Sequence, residues 1–376
     1  MNKYLLFLKI IFLKFFYLNL SFIKREISGY PKHVLEFEKD FSNYIGKQYG
    51  LTFCNGTSAI EAAIYALNLD KNSEILIPSS IFHASIGPIL SQNFKIKFVD
   101  IDRETLTIDC DDLEKKISEN THALIIVHPW GYPSNMSRIL EITKKNKIKL
   151  IEDCSHAHGA KYENNMIGAY GDISCFSLQG NKAIAGGEAG ISLTNNYEYY
   201  LRMSVFGHFN RHETELNKNE NLKSFSKTGI SKKLRAHPFS ICLAKVDLKN
   251  IDKINFHKTI VYKKIDKILS NYKFLKTMRI NENSLRGGFF GGYPIIIDEK
   301  KNISKILDIF NSFNLKLIKY PWLNHHKMKI YTQENIILNN TEDISEKFFL
   351  LNIPYLLNFD YSVLSKCLEK ISNEIN

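Results

Sequence analysis

The sequence has few cysteines and none of the spacings that bind metals. Six cysteines are scattered over 376 residues, and no two of them form a CxxC pair. Zinc sites and disulfide frameworks need closely spaced ligands, so we expect no metal site and reduced thiols, as in a cytoplasmic protein. Internal repeats and low-complexity linkers are also absent, and the composition gives no indication of disorder.

Two glycine motifs that bind nucleotide phosphates are missing as well. No GxGxxG follows a first strand, and the pattern GxxxxGK[ST] does not occur. The net charge is +11, from 50 basic and 39 acidic residues, but the lysines are spread along the chain and no nucleic-acid recognition motif accompanies them. We therefore expect no nucleic-acid partner.

The apolar N-terminal segment lacks an uninterrupted hydrophobic run. Lys9 and Lys14 break it before it reaches the ~20 residues that a transmembrane helix needs. No small-residue cleavage site follows, which argues against a secretory signal. Two interpretations stay open: a helix packed on the domain or across a subunit interface, or peripheral contact of residues 1–25 with the inner membrane face.

From about Val34 the chain alternates helical segments with short apolar runs. The strand-like runs are residues 74–78, 95–101, 123–127, 149–153, 172–178 and 190–194. This alternation predicts an α/β fold: a large three-layer domain in which helices cover both faces of a mainly parallel mixed sheet. The polar composition of residues 209–233 predicts a mobile segment that extends away from the domain. The pattern of residues 240–269 predicts one long helix.

The composition and pattern divide the chain into three parts. We expect an apolar, basic N-terminal segment at residues 1–27, a large domain at residues 28–250, and a smaller C-terminal α+β domain at residues 251–376.

Polar and aromatic residues follow the predicted strands, where α/β proteins bind ligands. Thr57 and Ser58 open a helix that suits a phosphate, Asp153 suits a protonated ring nitrogen, Phe82 offers a flat face, and Lys182 offers an amine to an aldehyde. Together they describe pyridoxal 5'-phosphate (PLP). Singly, each has an ordinary reading as a solvated lysine, a helix cap or a core residue.

These residues lie in blocks that resemble a known family. The blocks "FCNGTSAIEAAIYAL", "LIEDCSHAHGA" and "GDISCFSLQGNKAIAGGEAGISLTNN" are similar to those of the DegT-type PLP-dependent sugar aminotransferases, and the resemblance runs from about Ser28 to the C-terminus. It implies the aspartate aminotransferase superfold and a homodimer with its sites at the interface.

The resemblance assigns roles to ten residues. It implies that Lys182 forms the Schiff base with the cofactor and that Asp153 pairs with the ring nitrogen. It also implies that Phe82 stacks on the ring, His156 lies near the ring hydroxyl, and Thr57, Ser58 and Ser177 bind the phosphate. Lys233 stands where the neighbouring chain's Asn commonly reaches the phosphate. His325 and His326 stand near a substrate-contacting His of some relatives, although a surface pair is the alternative.

The implied function is transfer of an amino group from glutamate to a keto-sugar, nucleotide-linked, for surface polysaccharide or other glycan biosynthesis. Family dehydratases carry His at the position of Lys182, which favours transamination here. Two alternatives stay open: an aminotransferase acting on a keto-cyclitol, and a membrane-associated scaffold without catalysis. The motif "GEAG" has Ala189 where the family has Gly, which matters only if that backbone needs a positive φ.

Overall fold

The computed structural model describes residues 3–299, 302–320, 324–353 and 359–375. Residues 1 and 2 of the predicted N-terminal segment, and residues 300–301, 321–323, 354–358 and 376 of the predicted C-terminal domain, lie outside the described residues. The strands are β1 (Tyr49–Phe53), β2 (Glu74–Pro78), β3 (Lys95–Val99), β4 (Thr121–Val127), β5 (Lys149–Asp153), β6 (Lys161–Tyr162), β7 (Asn165–Met166), β8 (Ile173–Ser177), β9 (Gly190–Thr194), β10 (Leu275–Lys276), β11 (Ser284–Leu285), β12 (Tyr293–Ile297), β13 (Leu317–Lys319) and β14 (Phe348–Leu351).

The helices alternate with the strands through the first half of the chain. They are α1 (Lys3–Ile23), α2 (Lys32–Ile45), α3 (Gly56–Ala66), α4 (His83–Ser91), α5 (Cys110–Lys116), α6 (Met136–Lys145), α7 (Tyr197–Gly207), α8 (Glu213–Asn217), α9 (Pro238–Leu248), α10 (Ile251–Leu269), α11 (Ile303–Ser312), α12 (Asn339–Lys347) and α13 (Tyr361–Ile375).

A seven-stranded sheet carries the main core. Its order is β1-β9-β8-β5-β4-β2-β3, and β8, β5, β4, β2 and β3 are mutually parallel. β9 runs antiparallel to both β8 and β1. The predicted α/β fold with a mainly parallel mixed sheet is confirmed, and the carboxyl ends of its five parallel strands meet at one edge.

Helices cover both faces of this sheet because its strands are apolar on both sides. In β5, Leu150 belongs to the core shared with α2, α6 and α9, whereas the next residue, Ile151, belongs to the core shared with α3, α4 and α7. Neighbouring strand residues point to opposite faces of the sheet, so a continuous apolar run makes both faces apolar and both are covered by helices. This produces the three layers that the sequence predicted.

The predicted long helix over residues 240–269 is wrong in one respect: it is two helices. α9 ends at Leu248 and α10 begins at Ile251. The side-chain amide of Asn250 donates to the carbonyl oxygen of Val246 (2.8 Å), and Asn is a residue whose side chain competes with helical backbone bonding. The break turns α10 toward the antiparallel four-stranded sheet β10-β12-β14-β13. The predicted division between residues 250 and 251 stays a prediction.

Residues 209–233 are a packed segment rather than a plain polar loop. Leu216 and Leu222 are buried in a cluster with α7, and the Arg211 guanidinium makes two hydrogen bonds to the Glu38 carboxylate (3.0 and 2.5 Å). Both side chains of this ion pair are nearly buried, and a buried, bidentate pair is costly to break. We conclude that the segment is held against α7 and α2.

A buried group of His128, Glu152 and Cys154 lies beside the end of β5. Their ligand atoms fall within 4.8 Å of one another, but the Glu152 carboxylate already accepts hydrogen bonds from the backbone N–H groups of Gly168, Tyr170 and Gly171. These bonds fix the turn that precedes β8. We assign the group to the fold, because its carboxylate is already engaged.

Candidate active site

A cavity of about 690 Å³, counting its open mouth, lies at the carboxyl edge of the large sheet. The ends of β4, β5 and β8 and the N-termini of α3 and α4 meet there, as expected for ligand sites in α/β folds. Of the ten residues that the sequence singled out, six line this cavity: Thr57, Phe82, Asp153, His156, Ser177 and Lys182. Residues far apart in the chain are therefore neighbours in one cavity.

The first turn of α3 forms one end of the cavity. Asn55 caps the helix, its side-chain oxygen accepting the N–H of Ser58 (2.8 Å), so the N–H groups of Gly56 and Thr57 are left without a partner within the helix. Any Cβ on Gly56 would lie 2.8 Å from the Cβ of Ser177. Glycine thus lets this helix terminus approach the end of β8, which makes a narrow cradle suited to an anion.

Asp153 also lines the cavity, as the last residue of β5, and is buried. Its Oδ2 accepts the hydroxyl of Ser85 (2.5 Å), and its Oδ1 accepts the backbone N–H of Ser155 (3.0 Å). Both bonds fix the orientation of the carboxylate. A buried carboxylate held in this way is suited to pair with a cation inside the cavity.

Lys182 stands on a tight loop between β8 and β9. The loop is held by backbone bonds from Gly180 to Gly187 (2.8 Å) and from Gly186 to Leu178 (2.7 Å). The positive φ of the "GGEAG" stretch falls at Gly187 (+90°), not at Ala189. Ala189 is buried in the core, so its methyl group replaces the family's glycine without backbone strain.

The amine of Lys182 lies in unusual surroundings for a lysine. Its Nζ is 3.6 Å from the centre of the Phe290 ring, a cation–π distance. Burial lowers the pKa of Lys182 to about 8, although the nearby charge of Asp153 opposes this shift. A pKa in this range lets the amine act both as a base and as an acid near neutral pH.

His156 is a buried residue of the cavity lining. Its Nδ1 accepts the backbone N–H of Trp130 (3.3 Å), so in the neutral ring the proton is on Nε2, which is then a hydrogen-bond donor. Burial lowers the pKa of His156 well below its usual value, and the charges of Lys182 and His158 add to this. The ring therefore stays neutral at physiological pH.

Phe290 stacks on His156 with ring centres 4.0 Å apart, and it stands in the glycine-rich loop "RGGFFGG" before β12. Within this loop the N–H of Gly288 donates to Asn255 (3.0 Å), and the Gly288 carbonyl accepts from Lys258 (3.3 Å), both on α10. A Cβ on Gly288 would lie 2.3 Å from the backbone oxygen of His156. The close approach of these two backbones fixes the phenyl ring over the amine.

Gly288→Ala is expected to destabilise the protein more than Gly29→Ala does. Both glycines have φ of +73°, but a Cβ on Gly29 would meet nothing within 4 Å. The left-handed conformation costs alanine roughly 1–2 kcal/mol at either site, and the backbone clash at Gly288 should raise its total to roughly 3 kcal/mol or more. Urea melts of the two variants give the comparison. Equal losses would show that the loop is not fixed by this contact.

Four predicted site residues do not line the cavity. Ser58 contacts Cys54, with 3.3 Å between its Oγ and the sulfur. Lys233 has an exposed side chain, and its backbone pairs with that of His208 in an isolated antiparallel β-bridge. His325 and His326 are buried and bind Ser79 at the end of β2, at 2.8 and 2.7 Å. The interpretation as a surface pair is therefore wrong.

Several cavity residues were missed by the sequence interpretation. Asn55, Ser85 and Ser155 hold the predicted groups in place, and their positions at helix starts and after a strand were a usable signal. Phe290 does not line the cavity but contacts the Lys182 amine; its weaker signal was glycines on both sides of an aromatic pair, which indicates close backbone approach. Its placement beside Lys182 required the tertiary structure.

The fold is that of the PLP-dependent aminotransferase structures, in which helices sandwich a mainly parallel sheet. The chain belongs to the DegT/DnrJ/EryC1/StrS aminotransferase family, whose sequence model matches residues 24–362. The predicted family is confirmed.

Individual relatives match the chain over part of their length. GDP-perosamine synthase of Escherichia coli O157:H7 is 37% identical over 190 residues, 50% of this chain and 52% of that protein. L-glutamine:scyllo-inosose aminotransferase of Streptomyces griseus is 30% identical over 174 residues, 46% of this chain and 41% of that protein. The chain thus spans about half the length of the curated relatives it matches.

A solved structure matches the chain throughout. Escherichia coli GDP-4-keto-6-deoxy-D-mannose-3-dehydratase with bound hydrated PLP superposes with a TM-score of 0.83, covering 95% of this chain and 96% of that one. Its sequence identity is 21%, so this likeness shows the fold alone.

Proposed function

We propose that this protein is a PLP-dependent aminotransferase that transfers an amino group from glutamate to a nucleotide-linked keto-sugar in glycan biosynthesis. The observation that carries the proposal is the single cavity shared by Lys182, Asp153 and the first turn of α3. Membership of the family supports the reaction, and the likeness to GDP-perosamine synthase supports the sugar. The likeness to scyllo-inosose aminotransferase favours a keto-cyclitol as the second candidate substrate.

The residues of the cavity fit PLP by their chemistry. The cradle between Gly56 and Ser177, which a Cβ would fill, suits a phosphate, and Thr57 adds a hydroxyl. Asp153 supplies a buried, oriented carboxylate for a protonated pyridine nitrogen, and Lys182 supplies an amine in the same cavity. When bound, the cofactor would supply an aldehyde and an electron-withdrawing ring.

The roles of the chain's own groups follow from their surroundings. Neutral Lys182 Nζ would take a proton from the Cα of the amino donor. As the ammonium, it would return that proton to the carbon that carried the cofactor's aldehyde, and a pKa of about 8 allows both steps. Asp153, held by Ser85 and Ser155, would keep positive charge on the ring nitrogen. His156 would donate from Nε2, and Phe290 would exclude water from one side of the amine.

We further propose that two chains form a homodimer in the cytoplasm. Lys233 is exposed and outside the cavity of its own chain, which suits a residue that reaches the phosphate in the neighbouring chain. A lysine would bind there by charge instead of by an amide. The six free cysteines agree with a reducing compartment.

An assay with PLP, glutamate and a panel of nucleotide keto-sugars and keto-cyclitols tests the function. We expect 2-oxoglutarate release that depends on a keto-sugar, together with a yellow, cofactor-containing protein. Release with keto-cyclitols alone would select the second candidate. A colourless protein that does not take up PLP would reject the enzyme and favour a scaffold.

A further inference from the structure

The N-terminal helix α1 has two apolar faces, and only one of them is covered within the chain. Its inner face places Leu6, Ile10, Leu13 and Tyr17 against α9 and α10. Its outer face carries nine exposed large hydrophobic side chains: Tyr4, Leu5, Leu8, Ile11, Phe12, Phe15, Phe16, Phe22 and Ile23.

This outer face is unlike the rest of the surface. The described residues include 22 exposed large hydrophobic side chains, and nine of them belong to α1. Scattered apolar residues are normal on a soluble protein, whereas a contiguous patch of this kind marks an interaction site. By length and composition α1 is also apolar enough to cross a membrane.

The charges around the face indicate what covers it. Lys9, Lys24 and Arg25 are exposed at or beside α1, and residues 1–25 contain no Asp or Glu. A two-fold contact between copies of this chain would bring the same patch of each copy together. The cations of one copy would then lie near the cations of the other, and residues 1–25 supply no carboxylate to pair with them. An anionic lipid surface offers both phosphates and an apolar interior.

The inner face determines the orientation of the helix. The Lys14 ammonium lies 2.6 Å from the Asp247 carboxylate, which is nearly buried. The same carboxylate oxygen also accepts the N–H of Ala185, in the loop that carries Lys182 (2.9 Å). If α1 left α9 to span a bilayer, it would take Lys14 into lipid and leave Asp247 buried without its cation, which is strongly unfavourable.

We propose that α1, held against α9 and α10, docks the folded protein in the plane of an anionic membrane surface through its outer face. The phenylalanine-rich side enters the boundary between headgroups and acyl chains, and the flanking cations contact lipid phosphates. This surface lies apart from the cavity, so the proposal stands or falls independently of the proposed reaction.

Sedimentation of the full chain with phosphatidylcholine vesicles, with and without phosphatidylglycerol, tests the proposal. We expect binding to the anionic vesicles that weakens at high salt, and release by carbonate, which extracts a helix lying in the surface but not a spanning one. Phe12→Ser with Phe15→Ser should weaken binding at least roughly tenfold. Lys9→Gln with Lys24→Gln should remove most of the salt-sensitive part.

A matched control pair lies on another part of the surface. Ile330 and Ile337 are 66% and 68% exposed, against 67% and 69% for Phe12 and Phe15, so Ile330→Ser with Ile337→Ser removes equally exposed apolar groups and should leave vesicle binding unchanged. Thermal melts confirm that each variant is folded. Absence of binding to anionic vesicles would overturn the proposal. So would a Phe12/Phe15 variant that dissociates an oligomer but still binds vesicles, because the face would then be a subunit interface.

Discussion

Lys182→Ala is expected to reduce aminotransferase turnover roughly a thousandfold or more, because in the proposed mechanism it removes both the covalent partner of the cofactor and the group that moves the proton. Lys182→Arg keeps the positive charge beside Asp153 but cannot act as an amine nucleophile or base, since its guanidinium stays protonated. We expect the arginine variant to be as inactive as the alanine variant. Turnover at the wild-type rate in either variant would contradict the role of Lys182.

The pH dependence of cofactor uptake gives a readout separate from turnover. With a pKa of about 8, half of the Lys182 side chains are neutral at pH 8, whereas an ordinary lysine is neutral in roughly one molecule in three hundred. Only the neutral amine reacts with an aldehyde, so the rate of uptake by the cofactor-free protein should rise with pH and level off above about 8. A rise continuing to pH 10 would mean that the amine is not desolvated.

Lys258 provides an internal control for the same experiment. Burial also lowers its pKa to about 8, but its amine donates to the carbonyl of Gly288 and does not line the cavity. If a lowered pKa alone determined the reaction with PLP, both lysines would be labelled. If the cavity directs the reaction, only Lys182 should be labelled. After incubation with PLP and reduction with borohydride, peptide mapping should find the label on Lys182. Equal labelling of Lys258 would mean that the cavity does not direct the reaction.

The large sheet was predictable because its strands are buried on both faces. The parallel strands β2 and β5 and the antiparallel strand β9 have the bounds that their apolar runs predict, since a strand buried between two helical layers forms a continuous hydrophobic segment. β1 was missed: it is an edge strand of five residues, "YGLTF", with Gly50 in second place, and among the described strands it pairs with β9 alone. A glycine and a threonine among five residues leave too short an apolar run for a strand pattern.

The candidate site was predictable where chemistry follows directly from local structure. Asp153 and Lys182 follow strands, and Thr57 opens a helix, so the rule that α/β sites lie at strand ends brings them together. Phe290 and Asp247 belong to later elements, and no local pattern relates them to Lys182. Their contacts depend on how α9, α10 and the loop before β12 pack on the large sheet.

The packing of residues 209–233 was hidden for a related reason. Arg211 and Glu38 are 173 residues apart in the chain, and each is ordinary in its own segment. A polar segment is normally solvated, but here one buried ion pair and two leucines hold it in place. Such a long-range pair is invisible to periodicity, which reports only neighbours along the chain.

Asp153→Asn is expected to keep PLP bound but to slow turnover roughly 10²–10⁴-fold. The amide has nearly the same shape and can still bind Ser85 or Ser155, so the cavity should stay intact. It carries no charge, however, and so cannot favour the protonated ring nitrogen that withdraws electrons during proton transfer.

Ser85→Ala is the matched control for this prediction, because it removes one hydrogen bond to Asp153 (2.5 Å) and leaves the charge and the bond from Ser155. We expect it to slow turnover less than Asp153→Asn does, because the loss of one hydrogen bond leaves the carboxylate charged and still bound by Ser155. Substrate deuterated at the reacting carbon adds a second readout: the isotope effect should increase in Asp153→Asn, because proton abstraction becomes rate-limiting, and should change little in Ser85→Ala. An unchanged rate and isotope effect in Asp153→Asn would show that the carboxylate only supports the end of β5.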